Sequence, residues 1–304
     1  MKYSESNKPI VCMQTNSTCY KGTSTMTPKG VLWHSTGANN PNISRYVQPL
    51  ETDANYQEMI ALLGKNRYGN DWNHKARQAG MNCWIGKLAD GSVATVQTMP
   101  WNYKPWGCGS GSKGSLNNTH MQFEICEDDL NSREYFEAVY KEACEITAYY
   151  CQMYGLDPLG TFVYKGVTVP VITTHDESYD LQLGSNHGDP TKWLKKYGKT
   201  MDDARRDVAA LMAGNTEPVK PEPVPTPAPA SQGNTIYLRT LSKGSEGDDV
   251  ESMQILLTGR GFKVDQDGIF GPETQSAVKA YQKKVGLGVD GIVGRLTWSK
   301  LLGV

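Results

Sequence analysis

The 304-residue chain predicts an α/β domain with a mixed central β-sheet flanked by helices, followed by a small all-helical domain. Three observations predict it. Strand-like and helix-like stretches interleave through the first two thirds of the sequence. After Gly214 the composition changes to NTEPVKPEPVPTPAPASQGNT, with six prolines between Pro218 and Pro229 and almost no large apolar residue, so this stretch cannot build a core. Beyond it, DGIFGPET at 267–274 returns as DGIVGRLT at 290–297. The expected division is a first domain at 1–213, a linker at 214–235 and a second domain at 236–304.

In the first domain, KGVLWHSTG reads as a short buried strand that ends in a polar turn. NCWIGKLADGSVATVQTMP reads as two strands joined at Ala89-Asp90-Gly91, a hairpin signal. THMQFEICED alternates, placing His120, Gln122, Glu124 and Cys126 on one face of a strand. The spacing of Phe136, Val139, Ala143, Ile146, Tyr150 and Met153 predicts a helix over 134–154, with Cys144 and Cys151 on or beside its apolar face. KGVTVPVITTH predicts one more strand, and Met201–Ala213 a last helix.

In the second domain each repeat copy combines a DG turn, an apolar pair, a glycine and a Thr-containing helix start. Proline and an acid in Gly271-Pro272-Glu273-Thr274 suit a first helical turn. Helices are expected over 249–259, with Val250, Met253, Leu256 and Leu257 inward, and over 275–285, with Ala277, Val278 and Tyr281 inward. No acid–histidine pair stands out there, which favours binding over catalysis.

Composition excludes several classes. A net charge of −1 argues against a nucleic-acid binder. No apolar run approaches the roughly 18 residues of a membrane span. The first residues, MKYSESNKPIVCMQTN, lack a basic segment followed by an apolar one, so the expectation is manufacture in the cytoplasm without a signal peptide. Seven cysteines without a CxxC pair read as buried, reduced thiols.

Chemistry concentrates around few residues. His34 ends a strand and enters Ser-Thr-Gly; His175 ends another; Gly184-Ser-Asn-His187-Gly-Asp189-Pro follows as a glycine-rich loop. A hydrolytic zinc ion needs three protein ligands and an open position for water, which two imidazoles and a carboxylate satisfy. A further carboxylate must take the water's proton, and Glu124, mid-strand between Phe123 and Ile125, is the candidate. By spacing, His187 is an alternative ligand to His175. No HExxH helix is present, so the ligands would come from separate strands and loops. Other residues read blandly: His74 as a surface residue, His120 as a hydrogen-bonded strand-end residue, Cys126 as a buried thiol, and Asp265, Asp267 and Asp290 as turn residues. Trp101, Tyr103 and Trp106 either stack on sugar or pack under a loop.

Together VLWHSTG at 31–37, GKLADG at 86–91, QFEI at 122–125, Thr174-His175 and SNHGD at 185–189 resemble the type-2 N-acetylmuramoyl-L-alanine amidases, particularly bacteriophage endolysins and related autolysins, over residues 28–210. Residues 244–302 resemble a repeat-type peptidoglycan-binding module. The resemblance implies a zinc ion on His34, His175 and Asp189, with Glu124 as the catalytic acid. His187 stands where the family carries a Lys or His beside the third ligand. It further implies cleavage of the bond between N-acetylmuramic acid and L-alanine, with bacterial peptidoglycan as partner and action on the wall after release from the cytoplasm. A charged His187 predicts activity falling above roughly pH 7 to 8. The sequence departs from the family at Asn82-Cys83 and Gly107-Cys108, where histidines are frequent. The rivals are a zinc peptidase that cuts the stem peptide and a non-catalytic peptidoglycan receptor.

Overall fold

The computed structural model describes residues 1–75, 77–128, 131–214 and 240–303. These form two compact units, one on each side of 215–239. The linker expected at 214–235 therefore lies, apart from Gly214, outside the described residues.

The first unit is built on a six-stranded sheet. Its strands are β1 (Ile10–Val11), β2 (Gly30–Ser35), β3 (Cys83–Lys87), β4 (Val93–Gln97), β5 (His120–Ile125) and β8 (Ile172–Thr174), in the order β1-β4-β3-β5-β2-β8. Only β3 and β4 pair antiparallel, as the expected hairpin; every other neighbour is parallel. Side-chain alternation separates two faces. Val31 and Trp33 of β2 join Met121, Phe123 and Ile125 of β5 in the main core. Their neighbours His34, Gln122 and Glu124 take the opposite face, as the alternation of β5 predicts.

The core face is covered by helix α3 (Arg133–Tyr154), which buries all six residues of the expected stripe, with Cys144 and Cys151. Ser132 caps it by accepting from Tyr135 N, and Gly155 ends it at φ 62°. Helix α6 (Met201–Ala213) buries Ala204 and Val208 in the same core. On the other face, helix α2 (Tyr56–Leu63), which follows a one-turn helix α1 (Thr18–Lys21), adds Met59 and Leu63 to a second apolar layer with Trp84, Val96 and Cys126.

The strand expected in KGVTVPVITTH is instead two. Val167–Pro170 (β7) pairs antiparallel with Thr161–Tyr164 (β6) in a separate two-stranded sheet, and β8 joins the main sheet. Pro170 has no N–H to continue a ladder, and Val171 turns its own N–H to Gly160 O while its carbonyl accepts from Val31. His175 does not end a strand either. It opens helix α4 (His175–Asp180), because Thr174 accepts from Glu177 N and Asp176 and Glu177 fill the first turn. Helix α5 (Thr191–Lys196) follows.

Among its described residues the second unit holds three helices: α7 (Asp248–Gly259), α8 (Pro272–Lys284) and α9 (Arg295–Leu302). Val250, Met253, Leu257, Val278 and Tyr281 are buried as expected, with Trp298 and Leu301 from α9; Leu256 and Ala277 are partly buried. The repeat has a physical basis. Gln254 Nε2 donates to Asp267 Oδ1, Ile269 O and Thr274 Oγ1, and its Oε1 accepts from Gly268 N. Gln282 does the same with Asp290, Ile292, Thr297 and Gly291. Asp267 and Asp290 are thus turn residues. Among the described residues, no helix is long and apolar enough to cross a membrane.

Candidate active site

A cleft of about 510 Å³ opens on the polar side of β2 and β5. His34 and Glu124 are direct register partners across those two parallel strands, so the sheet itself sets them side by side. His175 comes from the first turn of α4 and Asp189 from the loop ahead of α5. One contact ties the end of that loop to α4: Asp176 Oδ1 accepts from Thr191 Oγ1 at 2.7 Å, the same oxygen that accepts from the α4 cap residue Thr174 at 2.5 Å. Arg205 of α6 holds α4 from outside by pairing with Glu177 at 2.6 Å and donating to Ile172 O at 2.9 Å.

His34, His175 and Asp189 converge, with one candidate ligand atom from each lying within 4.8 Å of the others. Asp189 Oδ2 is 3.0 Å from His34 Nδ1, and Asp189 Oδ1 is 3.3 Å from His175 Nδ1. The other nitrogens are engaged: His34 Nε2 meets Gln122 Oε1 at 2.9 Å, and His175 Nε2 meets Ser185 Oγ at 3.0 Å. Two imidazoles held from behind by hydrogen bonds, with a carboxylate, are the donor set of catalytic zinc sites. The three residues fit such an ion.

His187 does not join this group. It is exposed, stacks on the His175 ring at 4.5 Å and lies 3.3 Å from Ser185 Oγ. Of the two alternatives left open by spacing, His175 is the one beside Asp189.

Electrostatics sort the carboxyl groups. Burial alone would raise Asp189, but hydrogen bonds from His175 and His34 overcome it and hold the group well below the usual carboxylate range. Burial pushes Glu124 up to about 8; the nearby His34 opposes this, and Asp189 and Glu127 add to it. Burial lowers His34, but its contacts with Asp189 outweigh that and leave it above the ordinary histidine value. His175 falls below it, chiefly through burial. Glu124 Oε2 is shut off from solvent and has no hydrogen-bond partner. A buried polar atom left unpaired is costly and calls for a reason; facing this cleft, a proton-transfer role supplies one.

Sequence reading missed four contributors. Glu127 accepts from Ser35 Oγ and from Gly37 N and lines the cleft. Gln122, Asn117 and Ser185 stand behind the histidines. Gln122 had a signal in its place on the same strand face as Glu124, and Ser185 in opening the SNHGD loop. The remaining assignments hold. His120 is fully buried against Thr119 Oγ1 at 2.9 Å, and burial lowers it to about 4. His74 is largely exposed and meets Asp71 and Glu51. All seven cysteines are free, and all but the half-buried Cys19 are buried. Trp101 and Tyr103 pack in the interior while Trp106 is 44% exposed, which divides that loop between both readings.

Residues 24–192 match the family of N-acetylmuramoyl-L-alanine amidases, and residues 246–301 match a peptidoglycan binding domain. The chain is 30% identical over 195 residues to the N-acetylmuramoyl-L-alanine amidase CwlL of Bacillus licheniformis, covering 63% of this chain and 47% of that one. It is 43% identical over 75 residues to the zinc D-Ala-D-Ala carboxypeptidase of Streptomyces albus G, covering 24% and 29%. The chain thus spans less than half the length of these relatives. Among solved structures it is similar to the Staphylococcus aureus hydrolase AmiA, at 19% identity over 70% of this chain and 88% of that one, with a TM-score of 0.45. By the match that covers more than half of its length, the chain belongs to the N-acetylmuramoyl-L-alanine amidase family.

Proposed function

We propose that this chain hydrolyses the amide bond between the lactyl carbonyl of N-acetylmuramic acid and the L-alanine of bacterial peptidoglycan, with zinc held by His34, His175 and Asp189. The observation that carries this reading is the convergence of those three donors beside the unpaired Oε2 of Glu124. When bound, zinc supplies Lewis acidity that makes a water nucleophilic near neutral pH and polarises the carbonyl. Glu124 takes the proton released as the C–O bond forms and delivers it to the alanine nitrogen as the C–N bond breaks. His187, at the exposed edge of the cleft, donates to the oxygen that gains charge. Ser35 and Gly37 hold Glu127 beside the same cleft, where its charge discourages early ionisation of Glu124.

The division 1–213, 214–235 and 236–304 belongs to the same reading. The helical unit binds the wall, and the proline-rich connection keeps the cleft near an insoluble substrate at raised effective concentration. Support comes from the peptidoglycan binding domain match over 246–301.

Mass spectrometry of purified cell wall digested by the protein, with and without a chelator, tests the proposal. Stem peptides with free L-alanine amines, absent after chelation, are expected. Cuts within the stem peptide with the muramyl–alanine bond intact would replace the reading with a peptidase. Binding without cleavage would replace it with a receptor.

A further inference from the structure

The two metal-site histidines are held by side chains whose hydrogen-bond polarity can be traced to the backbone of one loop. A backbone N–H only donates and a backbone carbonyl only accepts. Asn117 Oδ1 receives the N–H groups of Gly107 at 3.0 Å and Cys108 at 3.2 Å, while Asn117 Nδ2 donates to Gly109 O at 2.8 Å. Both ends of the Asn117 amide are therefore assigned. Gln122 Nε2 donates to the same Oδ1 at 2.9 Å, so it is the Gln122 oxygen that meets His34 Nε2 at 2.9 Å. That oxygen carries no proton, so His34 must supply it from Nε2. Gly107 permits this approach: a Cβ there would sit 2.4 Å from Gln122 Oε1.

A second relay leaves the same loop. Cys108 O accepts from Ser185 N at 2.8 Å and from Ser185 Oγ at 3.2 Å. Ser185 Oγ also lies 3.3 Å from His187 Nδ1; with its single hydroxyl proton directed to the nearer Cys108 O, which can only accept, Ser185 Oγ accepts from His175 Nε2 at 3.0 Å. Both histidines, when neutral, then carry their proton on Nε2. Their Nδ1 lone pairs then face the two oxygens of Asp189, an arrangement made favourable by a metal cation between them or by a second ring proton on either histidine, the state in which the histidines donate to Asp189.

We propose that Asn117, Gln122 and Ser185 are positioning residues that lock His34 and His175 as Nε2–H tautomers, keeping each Nδ1 open to a metal ion, with the Cys108 backbone at the head of both relays. The functional consequence rests on the zinc reading above; the tautomers do not. Nitrogen-15 imidazole spectra of the metal-free full chain at about pH 9 read the tautomers directly, and a zinc competition titration gives the second readout. Wild type is expected to show both histidines as Nε2–H. Gln122→Met is expected to release His34 alone into mixed tautomers and Ser185→Ala to release His175 alone, each weakening zinc binding about 10- to 100-fold. An Nδ1–H tautomer at either histidine in wild type, or wild-type zinc affinity in Gln122→Met, overturns the proposal. Should Gln122→Met fail to fold, the wild-type spectra and Ser185→Ala decide. Both Nε2–H tautomers in a wild type that binds no zinc would uphold the relays and remove the metal reading instead.

Discussion

The cleft of the first unit and the repeat of the second both bury polar side chains, and the two regions treat Glu124 and the repeat's glutamines oppositely. Gln254 and Gln282 each spend both ends of their amides on several partners, and the two sets match residue for residue. Glu124 keeps one oxygen enclosed and unpaired. A satisfied buried network fixes structure; an unsatisfied group in a cleft stores reactivity at a cost in stability. The duplicated glutamine therefore reads as architecture, while the single glutamate reads as chemistry.

The largest expected effect breaks this contrast at Glu124. Glu124→Gln should lower amide hydrolysis about a thousandfold, or ~4 kcal/mol of barrier, as measured by release of alanine amines, while the fold persists. It should also change the pH response of the metal-free protein. The Glu124 value is raised from 4.5 to about 8, so its contribution to stability is present below 4.5 and lost as pH rises through 8. The variant should lack that loss between pH 4.5 and 8.

His120, two positions from Gln122 on the same strand face, sharpens the comparison because it is buried neutral and partnered. Its value falls from 6.5 to about 4, so its contribution is present above 6.5 and lost as pH falls through 4. Thermal melts between those values should show a loss of roughly 3 kcal/mol by pH 4, and His120→Leu should flatten that limb. The smallest effect belongs to the repeat. Gln254→Leu strands the Gly268 N–H and should cost ~2 kcal/mol in the stability of the second unit, read as a shift of its own unfolding transition. Gln282→Leu should cost a similar amount, as the matching networks require.

Much of this was legible from residues. The alternation of HMQFEI separated core from cleft, the spacing of Phe136 to Met153 defined α3, and the DGI repeat announced two equivalent turns. Other features depend on contacts between distant segments. The pairing of His34 with Glu124 arises from the register of β2 on β5, and no local pattern in either strand encodes it. Asn117 and Ser185 matter only because the loop 107–109 passes between them. The error at His175 was avoidable: Thr174 followed three residues later by Glu177 is a helix-start signature, and Pro170 already argued against a continuous strand.

The register of β2 on β5 also governs which changes of chain length the fold tolerates. A one-residue insertion in either strand would turn either His34 or Glu124 toward the opposite face and leave its partner in place. Those two strands must therefore keep their lengths together. The segments that bring Asp189 and His187 are loops, where added or lost residues are absorbed more readily. Length variation that reshapes the cleft while preserving its chemistry has only that wall on which to act.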